Sequence, residues 1–148
     1  MRRVLFGKAT MKLRVTWLFW ILTVHSTRST ENKPTWCPKF CSCDEVELSV
    51  DCSGLGFNIV PRRIPPFIRR LDLSDNLLSE LQHGTFIEQK NLERLDLHNN
   101  SIIRIDTHAF DELSRLKSLN LSWNPQDICN FPDGSFSGLS LKNMSISY

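Results

Sequence analysis

Apolar residues return at one phase every 24 residues along the second half of the chain. Ile68, Leu71 and Leu73 are followed by Leu92, Leu95 and Leu97, then by Leu116, Leu119 and Leu121, and a further start at Leu141, Met144 and Ile146. The last two positions of each set alternate with polar residues, which predicts a short parallel strand with one face in the core and the other in water. Arg70, Arg94, Ser118 and Asn143 form one outward column about 5 Å apart per strand, and Asp72, Asp96, Asn120 and Ser145 form the next. Three residues after each of the first three strands stands an asparagine, Asn76, Asn100 or Asn124. An amide both donates and accepts, so these side chains are expected to satisfy backbone groups that stacked turns would leave orphaned. Phe86, Phe110 and Phe136 predict a stacked spine on the opposite side, preceded by Leu81, Ile105 and Phe131.

Two departures break the period. Gln89 occupies a position where the repeat calls for an apolar residue, so loose packing is expected there. The third unit gains two residues between Asn124 and Phe131 and loses one after Leu139. The L-x-x-L-x-L-x-x-N frame itself resembles a leucine-rich repeat. The fold it implies is α/β: a solenoid with a short parallel sheet and an irregular convex side. No single repeat buries its own apolar stripe, so such arrays depend on stacking and on sealed ends.

Four of the five cysteines lie in the stretch Cys37, Cys41, Cys43 and Cys52. Their C-x3-C-x-C-x8-C spacing fits neither a zinc ribbon nor a C-x-x-C redox pair. Upstream, Arg2, Arg3, Lys8, Lys12 and Arg14 precede the apolar run from Val15 to Val24 and small residues around Ser26, the layout of a secretory signal. That run is shorter than the roughly 20 residues a membrane span needs. Secretion favours disulfides over thiolate ligands. Of the three possible pairings, the one joining Cys41 to Cys43 is the least favourable sterically. C-P-x-x-x-C-x-C with Cys52 downstream, followed by "IVPRRIPPFIRRLDLSDN", resembles the amino-terminal cap of extracellular leucine-rich-repeat proteins. The resemblance implies the pairs Cys37–Cys43 and Cys41–Cys52. It divides the chain into a signal at 1–26, a linker at 27–36, the cap at 37–67 and repeats at 68–148.

Charge narrows the function classes. Cleavage after Ser26 removes five positive side chains and takes the formal charge from 18 − 16 = +2 to 13 − 16 = −3. No concentrated basic field remains for a nucleic acid, and no apolar run in this chain is long enough to span a membrane. Neither a cofactor nor a metal is implied. Asp96, His98 and Ser74 or Ser122 share a face in the manner of a hydrolytic triad. An open sheet, however, offers neither a water-excluding pocket nor an oxyanion hole, so no catalytic residue is assigned.

What remains is binding of a protein or a microbial or glycan ligand. The insertion carrying Cys129 is similar to irregular repeats of Toll-like receptors, which implies the start of a pattern-recognition ectodomain of innate immunity. The alternative is a secreted matrix, adhesion or guidance protein. Arg70, Arg94 and Trp123 are the candidate contacts, although the Arg and Asp columns are expected to neutralise each other and the Trp123 ring could lie on its own turn. Sequons at Asn99, Asn120 and Asn143 lie on or beside the same face and are open to glycosylation. The strand around Met144 offers an edge for self-association, with the odd cysteine Cys129 beside it. The product is expected outside the cell, beginning near Thr27. Mass spectrometry of secreted protein should find Cys37, Cys41, Cys43 and Cys52 closed to alkylation without reductant; free thiols there would contradict the cap.

Overall fold

A computed structural model describes residues 33–125, 133–136 and 139–147. The signal segment, Cys129 and Phe131 fall outside the described residues. The chain forms β1 (Ser42–Asp44), β2 (Ser49–Asp51), β3 (Arg70–Asp72), β4 (Glu80–Leu81), β5 (Arg94–Asp96), β6 (Arg104–Ile105), β7 (Ser118–Asn120) and β8 (Asn143–Ser145). Among the described residues there is no helix. The main sheet runs β1-β2-β3-β5-β7-β8, antiparallel only between β1 and β2, while β4 and β6 pair in a small second sheet. Its register follows the period: Leu71 pairs with Leu95 and Leu95 with Leu119.

Packing follows from the same phase. Leu71, Leu73, Leu95, Leu97, Leu119 and Leu121 are all buried, as are Leu81 and Ile105 beneath the convex side. Phe86 stacks on Phe110 at 6.1 Å between ring centres, and Phe110 on Phe136 at 5.7 Å, which forms the expected spine. Gln89 does not leave the packing loose. It is buried and turns exactly as its counterpart Leu113 does, with backbone bonds to Phe86 and Phe110 respectively. Its Nε2 donates to the Ile64 carbonyl at 3.0 Å. The first repeat stacks on the irregular cap, and a carbonyl there needs a donor that leucine cannot supply.

The cap continues the spiral as an additional turn. Cys37 is joined to Cys43 and Cys41 to Cys52, and Val50 of β2 is buried against Leu71 of β3. Cys52 and Gly54 donate to the carbonyls of Asp72 and Ser74, just as Leu73 and Asp75 donate to those of Asp96 and His98. At the other end, Met144 on β8 and Ile146 just after it are 41% and 37% exposed, whereas Leu119 on β7 and Leu121 just after it are 1% exposed.

Each ladder asparagine ties its own turn to the one before. Asn100 Oδ1 accepts from the Leu78 amide at 3.0 Å, and its Nδ2 donates to the carbonyls of Leu73, Leu97 and His98 at 3.0, 3.1 and 3.2 Å. Asn76 and Asn124 repeat the arrangement. Asn99, one residue earlier, is exposed and bonds only Asp75 through its side chain. Asn100→Asp should therefore cost about 3 kcal/mol or more, because it turns a buried carboxylate on three carbonyls. Asn99→Asp should stay within about 1 kcal/mol. Urea denaturation of the unglycosylated chain measures both, and equal losses would refute the ladder.

Candidate binding face

The concave sheet presents Ser49, Arg70, Arg94, Ser118 and Asn143 in one column and Asp51, Asp72, Asp96, Asn120 and Ser145 in the next. The second column ends each strand, and its carboxylates or amide close the following turn. Ser53, Ser74, His98 and Ser122 donate their backbone N–H to Asp51, Asp72, Asp96 and Asn120 at 3.0, 2.9, 3.0 and 3.1 Å. The same side chain that points to solvent thus fixes the local fold.

The two columns do not neutralise each other through direct pairs. Arg70 reaches back to Glu47 of the cap at 2.7 Å rather than to Asp72. Among the described residues no carboxylate lies within ion-pair distance of Arg94, which is exposed at the centre of the sheet. Other pairs leave Arg94 aside: Lys117 holds Glu93 at 2.6 Å, and this hydrogen bond keeps the Glu93 carboxyl below its ordinary range. Arg104 pairs with Glu80 at 2.9 Å beside a shallow depression of about 440 Å³, lined also by His83, Asp106 and His108, which the repeat pattern did not reveal.

The residues that resemble a triad are not assembled as one. His98 Nδ1 meets Asp96 at 2.9 Å, but its Nε2 faces Asp75 at 3.8 Å. Ser74 Oγ donates to Asp72 at 2.6 Å, and Ser122 Oγ shares a bond with Ser145 Oγ at 2.8 Å. Neither hydroxyl reaches the imidazole.

Trp123 stands at the rim and is 64% exposed, so its ring does not lie covered on the turn. It occupies a left-handed position, φ 58°, that Gly54, Asp75 and Asn99 fill on the preceding turns at 64°, 57° and 49°. Glycine, aspartate and asparagine tolerate this conformation; a tryptophan there is strained by roughly 1–2 kcal/mol. Of the sequons, Asn99 and Asn143 are exposed and Asn120 is half-buried.

The hydrogen bond to Asp96, joined by the charges of Asp75 and Asp72, raises the His98 pKa above its ordinary 6.5. These partners are assembled only in the folded chain. The stabilisation is therefore complete below about pH 6.5 and is lost as pH rises through the folded value. The stability of the parent minus that of His98→Gln should fall between about pH 5.5 and 8.5 by less than about 1 kcal/mol, since the ring is a third exposed and screened. A difference that does not change with pH, in denaturant titrations across this range, would remove His98 from the network.

Residues 66–125 match the family model described as leucine rich repeat. Podocan-like protein 1 of Homo sapiens is 34% identical over 68% of this chain and 20% of that protein. Trophoblast glycoprotein of Macaca fascicularis is 35% identical over 77% of this chain and 27% of its own length. The crystal structure of human trophoblast glycoprotein superposes with a TM-score of 0.68 and 28% identity, covering 80% of this chain and 42% of that one. The chain thus spans less than a third of the length of these curated relatives. Neither relative supports the narrower resemblance to Toll-like receptors. Both cap disulfides belong to an oxidising compartment, and the chain is placed outside the cell, secreted or on the outer face of the plasma membrane. Its period, asparagine ladder, parallel sheet and disulfide-bonded cap make it a leucine-rich-repeat solenoid.

Proposed function

We propose that the chain is the amino-terminal binding module of an extracellular leucine-rich-repeat protein of matrix, adhesion or guidance type, and that its concave sheet takes a protein partner. Arg94 carries the reading. A guanidinium at the centre of a sheet, with no ion partner among the described residues, offers a planar fork suited to a carboxylate. Arg70 beside it is held by Glu47 and borders the same contact. Arginine is enriched among the few residues that dominate interface energetics. The serine hydroxyls near His98 are engaged elsewhere, so that cluster does not compete with the binding reading. The relatives named above favour this class over a Toll-like receptor.

The secreted chain, fused to a dimeric tag, can be screened against arrayed extracellular proteins, with lipopeptides and peptidoglycan fragments as a separate arm. For a protein partner, Arg94→Glu should weaken binding by about 30-fold or more. Lys90→Glu, on the convex side and paired with Glu112, should leave it unchanged. Binding that is indifferent to Arg94→Glu would move the site off the concave sheet. Selective capture of the microbial fragments would return the Toll-like reading.

A further inference from the structure

The fold treats its three sequons differently. Asn120 is half-buried, with Nδ2 donating to Asp96 Oδ2 at 3.2 Å and Oδ1 accepting from the Ser122 amide at 3.1 Å. Asn143 is exposed on the outer strand β8. Asn99 is exposed on the rim, where its Nδ2 gives a hydrogen to Asp75 Oδ1. An N-linked glycan replaces only one of the two amide hydrogens. The bond to Asp75 engages one of them, which leaves the other for the sugar.

On the next turn, in the same row, stands Trp123. The Asn99 amide donates to the Ser122 carbonyl at 2.9 Å, which ties the two turns together. The rim residues Asn99 and Trp123 are consequently neighbours at about the 5 Å spacing of adjacent strands. Trp123 keeps a left-handed backbone while its indole is 64% exposed, so the ring gains little packing from the polypeptide around it.

We propose that Asn99 carries an N-linked glycan and that the indole of Trp123 is the seat of its first sugar. In the transfer, Nδ2 loses a proton and bonds C1 of an N-acetylglucosamine, while the C1–O bond to a lipid diphosphate carrier breaks and the diphosphate leaves with the electron pair. One face of that pyranose is a patch of C–H groups, which packs against the π face of an indole and buries apolar area on both. Tethering through Asn99 makes the contact intramolecular, so it forms at high effective concentration. Asn120 and Asn143 lack this arrangement: the first is half-buried within strand β7, and the second lies on strand β8 rather than on the rim row. The inference is independent of what Arg94 binds.

The test uses the full chain secreted from a cell line that makes only oligomannose glycans, with each glycan trimmed enzymatically to a single N-acetylglucosamine. Ser101→Ala removes the sequon but leaves Asn99 and its bond to Asp75 in place. Trp123→Asn removes the indole and suits the left-handed backbone, so it folds; Trp123→Phe keeps a stacking ring. Site mapping by mass spectrometry should find Asn99 occupied. With Trp123 present, the sugar-bearing chain should melt about 2 to 4 °C above Ser101→Ala. The gap should be largely retained with Trp123→Phe and should fall below half with Trp123→Asn. An unmodified Asn99, or the same gap in the Trp123→Asn background, would overturn the proposal.

Discussion

Stacking turns on one another places backbone amides and carbonyls in an interior that water does not reach, and every other feature of this chain answers to that constraint. Sheet bonds satisfy the strands but not the turns that follow them. The asparagine row closes the gap, because a single carboxamide supplies an acceptor to the preceding turn and donors to two turns at once. No apolar residue could fill that position without leaving buried groups unpaired. The leucines around the row then need only the right phase, since the polar ladder has already set the distance between turns.

The cap solves the same problem where the period fails. Its second strand and Gly54 reproduce the hydrogen-bond course of a repeat, and two disulfides substitute for the apolar content that so short a turn lacks. Gln89 shows how far the fitting goes: a position that is leucine in the next repeat becomes an amide because its neighbour is a cap carbonyl. The outward residues at the strand ends serve the turns first, and the guanidinium of Arg94 is left without an ion partner among the described residues.

Much of this was legible in the sequence because a fixed period converts position into register. The columns from Arg70 to Ser118 and from Asp72 to Asn120, the step from Phe86 to Phe110 and the role of Asn76, Asn100 and Asn124 all follow from counting in 24s, and Phe136, Asn143 and Ser145 follow once the longer third unit is allowed for. What escaped depends on residues outside the period. Glu47 captures Arg70 from a hairpin turn of the cap, so Arg70 and Asp72 form no direct pair. Ile64 meets Gln89 from an irregular segment. The cap's in-phase turn was hidden because Val50 precedes Leu71 by 21 residues rather than 24. The triad-like cluster was misleading for a related reason: sharing a face does not say where each hydroxyl bonds, and Ser74 and Ser122 bond away from His98.

Side-chain amides are expected to hold the turns as firmly as the strands hold one another. Native-state hydrogen exchange measures this residue by residue. The backbone N–H groups of Leu78 and Ile102 bond only to the Oδ1 atoms of Asn100 and Asn124, whereas those of Leu73 and Leu97 bond to neighbouring strand carbonyls. If the ladder holds the solenoid together, Leu78 and Ile102 exchange only through global unfolding, with the same protection as Leu73 and Leu97. Exchange of Leu78 and Ile102 by local opening, while the strand amides stay protected, would contradict it.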